Sequence, residues 1–377
     1  MQITLQADVL NHIINIVAKA SRQKATGVGT DNIIIKVSKQ TIEFIGTDLE
    51  IQAIARLPYK AEKTGEVAVP AQSFSQYIAT LDESDKVTLS VEKGYLNVET
   101  SGGKAKFNIA EVKDLTHFDV SKLKLFAQIR IQEISEVIRK TVFSALKGDD
   151  TRPVLTGVFF DGSSKKLTTV ALDTFRMSVY NTNVAVEDAH SFVVTYRALQ
   201  LLDKVIKDSF LANVLGAEQV EILVNNDLSL VAFKFGEIII FVKTIEGTYP
   251  DYKSIIPKDF KIQGEVDTQS FAKALRRVGV FAQNSLTKEI VFELLQDKIK
   301  LFSRAQENGE STQEIQASFD GDQLPLKVGF QFRFLQEFLS SIDSESIEIK
   351  LNDAMSPVVF LSKGNKKFLH IIMPLKL

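Results

Sequence analysis

At 377 residues the chain exceeds what one hydrophobic core usually organises, and 45% hydrophobic with 24% charged residues is enough to bury two or three. The absence of cysteine excludes disulfides, thiolate zinc sites and cysteine nucleophiles, and a formal charge of -2 argues against a sequence-reading DNA-binding domain. No run approaches the roughly 18 apolar residues of a membrane helix, and "MQITLQADVL" lacks the basic region and apolar run of a signal peptide, so a soluble, cytoplasmic protein without a membrane partner is expected.

Taken in order, the chain repeats itself. Leu10, Ile13, Ile14 and Val17 hold the i, i+3, i+4, i+7 positions of an amphipathic helix. The strands "NIIIKV", "QTIEFIG" and "EIQAIARL" follow, then a second helix on Phe74, Tyr77 and Leu81. The run "KVTLSV" next sets Val87, Leu89 and Val91 on one sheet face. The succession returns at Ile134, Val137, Ile138 and Thr141, then Leu199, Leu202 and Ile206, then "QVEILV". It returns again at Phe271, Ala274, Leu275 and Val278, then Leu335, Phe338 and Ile342, then "SIEIKL". First and second helices stand 64 (10 to 74), 65 (134 to 199) and 64 (271 to 335) positions apart. Turn signals close each unit, and the pattern breaks near "DLTHFDVSKL" and "EGTYPDYKSIIP". The reading is an α+β protein of three similar domains, residues 1–122, 123–253 and 254–377, each with two helices packed on antiparallel sheets.

Positive charge gathers on the first helices: Lys19, Arg22 and Lys24; Arg130, Arg139, Lys140 and Lys147; Lys273, Arg276, Arg277 and Lys288. The second helices add Arg197, Lys204, Lys207 and Arg333. Such residues either decorate solvated helix ends, where the dipole favours them, or form a track for phosphates that accepts any base sequence. No phosphate loop, dinucleotide fingerprint, HExxH or GxSxG is present. His12, His117, His190 and His370 have no metal-ligand spacing, and Asp149, Asp150 and Asp173 read as turn residues before they read as a magnesium site. The expectation is a non-enzyme with no catalytic residue, no metal and no cofactor.

The stretches "DTRPVLTGVFF", "TTVALDTFRM", "EGTYPDY" and "IIMPLKL", with the threefold repeat, resemble the bacterial DNA polymerase III beta subunits, or β sliding clamps, over the whole chain. The resemblance implies the DNA-clamp fold and a homodimer closed head to tail into a ring whose helices line a hole for duplex DNA, held without sequence specificity. It implies as partners the replicative DNA polymerase, an ATP-dependent clamp loader, and other polymerases and repair proteins bearing short hydrophobic clamp-binding motifs. The family's partner-peptide pocket maps onto Leu155; onto Leu172, Thr174, Phe175, Arg176 and Met177; onto Pro250, Ser254 and Ile255; onto Met355 and Pro357; and onto Ile371, Met373, Pro374, Leu375, Lys376 and Leu377. The ring interface maps onto "KAKFNIA", with Phe107 and Ile109 alternating against Lys104 and Lys106, and in the other chain onto Val280, Phe281, Glu310 and Glu314. DNA contacts beyond the helices map onto Lys24, Lys147 and Arg152.

Several positions depart from the family pattern. "SRQKATGVGTDN" lacks a usual proline-isoleucine-leucine run, Phe175 replaces a common histidine, Leu172 a threonine, Thr174 a glycine and Ser254 an often basic residue. These changes make the expected pocket more apolar. Two readings compete with the clamp: a repeat-built interaction scaffold that never encircles DNA, and a hydrolase built on aspartate-bound metal.

Overall fold

A computed structural model describes residues 1–21, 30–111, 118–148, 151–208 and 216–377. The chain divides into two compact units, one of residues 1–135 and 184–246, the other of residues 136–183 and 247–377. The described residues form seven α-helices: α1 (Ala7–Ala20), α2 (Ala71–Ile78), α3 (Ile131–Thr141), α4 (Tyr196–Lys207), α5 (Tyr252–Ile255), α6 (Thr268–Asn284) and α7 (Phe332–Ser341). Every apolar residue that the 3.6-residue period assigns to the first helices is buried, and Thr141, the one polar member, satisfies its hydroxyl by donating to Val137 O at 2.6 Å.

In the first unit an antiparallel eight-stranded sheet runs in the order 65–70, 32–37, 41–47, 51–58, 238–243, 230–235, 219–224, 124–130. Strand Ile51–Pro58 pairs with Ile238–Lys243, in the register Ile51 with Val242 and Ile54 with Ile239, so strands from two repeats share one sheet. A four-stranded sheet, 2–6, 86–92, 95–100, 103–108, stands beside it in the sequence order of the fold. α1 lies against strand Thr41–Thr47 so closely that a Cβ at Gly46 would sit 1.9 Å from Val17 O; only glycine permits that approach. The second face of the large sheet is also dry. Ile34, Ile45, Ile54, Leu223, Ile239 and Phe241 are covered by Phe118, Val120 and Leu123 of the connector between repeats, with Phe118 and Phe241 ring centroids 5.7 Å apart. Burial on both faces explains the five consecutive apolar residues of "IIIFVK" and the three of "NIIIKV".

In the second unit the antiparallel strand order is 157–161, 166–172, 176–185, 365–372, 358–362, 346–351, 262–267, 309–320, 298–305, 289–294, 326–331. Here too the sheet passes from one repeat to the next, through Arg176–Ala185 and Asn365–Ile372, in the register Arg176 with Ile372 to Tyr180 with Phe368. A chain of aromatic contacts from Phe271 through Phe292, Phe330, Phe360, Phe338 and Phe368 fills the space under α6 and α7.

Two expectations shift at helix ends. Leu81 and Ile342 carry the helical period but lie beyond α2 and α7, because α2 closes at Ile78 and Ile342 takes extended backbone as the α7 cap. Tyr77 is half-buried, and Ile78 takes the inward place beside Phe74.

Candidate functional site

All the sequence-assigned pocket residues belong to the second unit, and the loop between strands 166–172 and 176–185 holds Thr174 and Phe175. Asp173 organises it: Oδ1 accepts from Phe175 N and Arg176 N, both at 3.1 Å, and Oδ2 accepts from Arg176 Nε at 2.9 Å. Thr174 sits between them at φ 79°, a left-handed conformation that costs a β-branched residue energy and that these bonds maintain. The loop turns Phe175 outward, 58% exposed, and tucks Arg176 inward, 5% exposed.

Arg176 therefore lies beneath the loop, as buried as Leu172 and Met177. Its guanidinium lies 4.4 Å from the ring centroid of Phe334 and 5.6 Å from that of Phe143, donates through Nη2 to Phe143 O at 2.7 Å, and pairs through Nη1 with Glu337 of α7. Planar donors in a fixed fork suit this packing, as an ammonium would not. Burial pushes the Glu337 carboxyl up, but the hydrogen bonds and charges of Arg176 and Arg333 outweigh it and hold the group below its ordinary value.

The segment Met373–Leu377 docks beside this loop. Met373 N donates to Phe175 O at 2.7 Å, and Leu375 N donates to Gly329 O at 2.8 Å. A Cβ on Gly329 would lie 2.7 Å from Leu377 Cδ2 and 3.4 Å from Leu375 Cβ, so glycine in mid-strand makes room for the segment. Phe175, its ring 6.5 Å from that of Phe334, and the docked segment form an apolar shelf. Phe175, Met355 at 56%, Leu377 at 59% and Ile255 at 37% are exposed, and Leu155, Leu172, Met177 and Ile371 are buried. Pro357, Met373, Pro374 and Leu375 are half-buried, while Thr174, Pro250, Ser254 and Lys376 face solvent. Asp353 accepts from Met355 N and Ser356 N at 2.8 Å each and fixes the Met355 turn; Ser254 closes α5 by donating to Asp251 O at 2.7 Å.

The basic residues divide. Lys19 of α1 and Lys204 of α4 are exposed and near enough that, after burial, the charge of Lys204 is the next largest influence lowering the pKa of Lys19. Arg197 shares an open groove of about 680 Å³ with Lys19 but is tied to Asp48 at 2.5 Å and Glu50 at 3.6 Å. Lys147, Arg152, Arg276 and Arg277 are exposed. Arg22 and Lys24 lie outside the described residues, as do His117, Asp149 and Asp150. Lys140 is a correction: its side chain is 2% exposed and its ammonium donates to Ser341 O, because the end of α3 docks on the end of α7. Arg139 turns the same way, onto Asp343 and Glu136. Neither can offer its charge freely to a phosphate.

The residues assigned to a ring interface sit at two strand edges, one in each unit, with Val280 and Phe281 on α6 at the second. Gly103–Asn108 is the last strand of the four-stranded sheet. Lys104 and Lys106 are exposed on one face, while Phe107 packs against Phe74 and Tyr77 at 5.3 and 5.6 Å. Ile109 is half-buried just past the strand. In the other unit, Gly309–Asp320 pairs with Lys298–Ala305 as far as Gln316 and with Ile262–Asp267 from Ala317, so among the described residues one side of 309–316 has no strand partner. Val280 is 59% exposed and Phe281 lies near Gly309. Glu314 already meets Lys298 at 2.8 Å and Lys300 at 3.5 Å, Glu310 meets Arg304 at 4.0 Å, and Lys104 meets Glu99 at 2.9 Å. The expected charge complementarity thus starts from ions with partners of their own.

Among the described residues no group of three or more His, Asp or Glu could hold a metal, and no helix is long and apolar enough to cross a membrane.

Three sequence profiles account for almost the whole chain: the DNA polymerase III beta subunit N-terminal domain over residues 1–119, its central domain over 128–251 and its C-terminal domain over 253–376. The chain belongs to the DNA polymerase III beta subunit family. The beta sliding clamp of Synechococcus elongatus is 27% identical over 322 residues, covering 84% of this chain and 83% of its own. That of Staphylococcus aureus strain N315 is 26% identical over 323 residues, covering 83% and 81%. The fold matches the crystal structure of the beta subunit from Thermotoga maritima with a TM-score of 0.90 at 21% identity, covering 100% and 99% of the two chains. It matches the Pseudomonas aeruginosa sliding clamp bound to griselimycin with 0.89 at 21%, covering 100% of both. As a member of this family the chain is a DNA sliding clamp, a processivity factor of DNA replication.

Three clamp residues that shape the shelf escaped the sequence reading: Phe334, Glu337 and Gly329. A glycine inside the alternating run "LKVGFQ" is a signal for close backbone approach; the two helix residues carry no such mark.

Proposed function

We propose that the protein works as a homodimeric ring, closed head to tail, that encircles duplex DNA without reading its sequence and tethers the replicative polymerase, with other polymerases and repair proteins, through the Phe175 shelf. The domains are residues 1–122, 123–253 and 254–377, the protein acts in the cytoplasm, and an ATP-dependent loader opens and closes the ring. It catalyses no reaction itself; its affinity for DNA comes from enclosure.

The observation that carries the ring is the pair of half-satisfied strands, 103–108 and 309–316, since an unpaired strand edge of this length is a template for another strand. Each presents even-numbered residues on its exposed face, so antiparallel pairing between two chains sets Lys104 and Lys106 against the row that holds Glu310 and Glu314. The exposed cations Lys19, Lys204, Lys147, Arg152, Arg276 and Arg277 supply a phosphate-directed field, and Lys24 and Arg22 are proposed to add to it. For the pocket, the support is the exposed Phe175 and Leu377 with the segment docked between them, apolar groups of the kind that short hydrophobic peptide anchors seek.

Light scattering on the eluting protein tests the ring, and griselimycin, which the Pseudomonas aeruginosa clamp binds and which we propose as a ligand of the Phe175 shelf, tests the pocket. A dimer at micromolar concentration that becomes monomeric when Phe107 is changed to Asp, and saturable griselimycin binding lost on Phe175→Asp, are the expected results. A wild-type monomer would overturn the first reading, and absence of griselimycin binding the second.

A further inference from the structure

The basic end of α3, freed from a role in binding phosphates, has another use. The last-turn carbonyls of a helix lack intrahelical partners and sit at the negative end of its dipole. At the end of α7 the carbonyl of Ser341 receives two cations, Lys140 Nζ and Arg139 Nη1, the latter at 2.9 Å. Arg139 also donates to Asp343 Oδ1 at 2.8 Å, and Lys140 lies 3.7 Å from the same carboxylate. The Lys140 ammonium is 5.1 Å from the ring centroid of Phe368, on the strand that continues to Met373. A nearly buried lysine is costly to desolvate, and here the Ser341 carbonyl with the carboxylates of Asp343 at 3.7 Å and Glu136 at 3.9 Å offsets that cost.

From this clamp the contacts run without a break to the shelf. α7 carries Ser341 at its end and Glu337 and Phe334 further back; both of the latter hold Arg176; Arg176 follows Phe175, whose carbonyl receives Met373 N. On the α3 side, Phe143 supplies a carbonyl to the same Arg176. α7 is thus gripped at two points by residues of the central repeat, and the two strands that carry the halves of the shelf are fixed relative to each other.

We infer that Arg139, Lys140 and Asp343 are positioning residues for the partner-peptide shelf: they touch no peptide, but they hold α7, and through it Arg176 and Phe175, in the arrangement that receives one. The inference rests on the pocket reading of the shelf. Coupling through such packed networks has effects of about 2- to 30-fold, and Asp343→Asn, which alters a side chain 69% exposed, leaves the fold able to form.

The test is griselimycin affinity by isothermal titration for the wild type, Asp343→Asn, Asp343→Glu, Phe175→Ala and the double variant Asp343→Asn with Phe175→Ala. Asp343→Asn is expected to weaken binding about threefold to tenfold, Asp343→Glu to recover most of it, and the effect to shrink below about twofold once Phe175 is absent. Unchanged affinity in Asp343→Asn overturns the inference, and so does a loss that is fully additive with Phe175→Ala, which would place its action elsewhere. If the wild type fails to bind at all, the pocket reading falls first and takes this one with it; that result is read before any variant is made. Lys140→Met serves as a second variant, expected to exceed Asp343→Asn in effect, with circular dichroism to establish that it folds.

Discussion

Replacing Arg176 by Met keeps the length and apolar bulk of the side chain and removes the guanidinium. Left behind are Asp173, with 11% of its side chain exposed, Glu337, with 23% exposed, and the Phe143 carbonyl, all deprived of a donor. Removing one partner of a buried ion pair costs about 3–5 kcal/mol, and the lost contact with Phe334 adds roughly 1 kcal/mol. Partial exposure of Glu337 and the packing of the methionine offset some of this, so a net loss of about 3 kcal/mol is expected. Urea unfolding followed by fluorescence and circular dichroism measures it in the transition of the second unit, and Glu337→Gln with the double variant closes the cycle. The pH dependence gives an independent reading. The Glu337 carboxyl titrates below its ordinary 4.5 in the folded chain, so its stabilisation is complete above that pH and is lost as pH falls through the folded value. Arg176→Met should shrink that part of the acid dependence to what Arg333, 2.9 Å from the same carboxylate, still supplies. A variant within about 0.5 kcal/mol of the wild type, with the acid profile unchanged, would refute the account of the loop.

Three further outcomes follow from the same geometry. Phe175→Ala removes a ring already 58% exposed, so thermal stability should stay near that of the wild type while griselimycin binding weakens by about 1 kcal/mol, roughly fivefold, in a titration. Gly46→Ala forces α1 away from its sheet, since the new Cβ meets Val17 O at 1.9 Å; calorimetry should show the first unit destabilised by about 1–3 kcal/mol or more. His370 is fully buried, bonded through Nδ1 to Ser178 Oγ at 2.9 Å, with no partner at Nε2 and with Arg176 as the charge facing it. Burial and then that charge hold its pKa well below the ordinary 6.5, so the unfolded chain takes up a proton that the folded chain refuses. Stability should fall as pH drops below 6.5, and urea midpoints at pH 7 and pH 5 should differ less in His370→Phe; an equal difference would contradict the assignment.

How much of this could be read from residues alone depended on the range of the interaction. The helix faces at Leu10–Val17, Ile134–Thr141 and Phe271–Val278 were legible because a 3.6-residue period is local, and all are buried. The ends of α2 and α7 were not, since cap geometry at Ala79 and Ile342 leaves no trace in the period. The repeat was legible, but the fusion of sheets through Ile51–Pro58 with Ile238–Lys243, and Arg176–Ala185 with Asn365–Ile372, was not: register between distant strands is set by packing that a single sequence does not display. A tally of charge found the basic ends of α1 and α3 alike, yet one is open and the other docks on α7. Only the surroundings of Lys140 distinguish a phosphate ligand from a helix-end clamp. For the pocket, family resemblance supplied the residues, and the backbone decided which of them face outward: Phe175 out, Arg176 in.

Enclosure of DNA is the central claim, and retention on circular against linear duplex in high salt addresses it most directly. At 1 M NaCl the screening length is about 3 Å, so contacts from Lys19, Lys204 or Arg276 to phosphates contribute little, and only topology can hold the protein. After loading on a nicked circle by the proposed ATP-dependent loader, the protein should remain bound through gel filtration at that salt and leave when a restriction enzyme opens the circle. Equal loss from circle and linear duplex, or retention unaffected by cutting, would contradict the account.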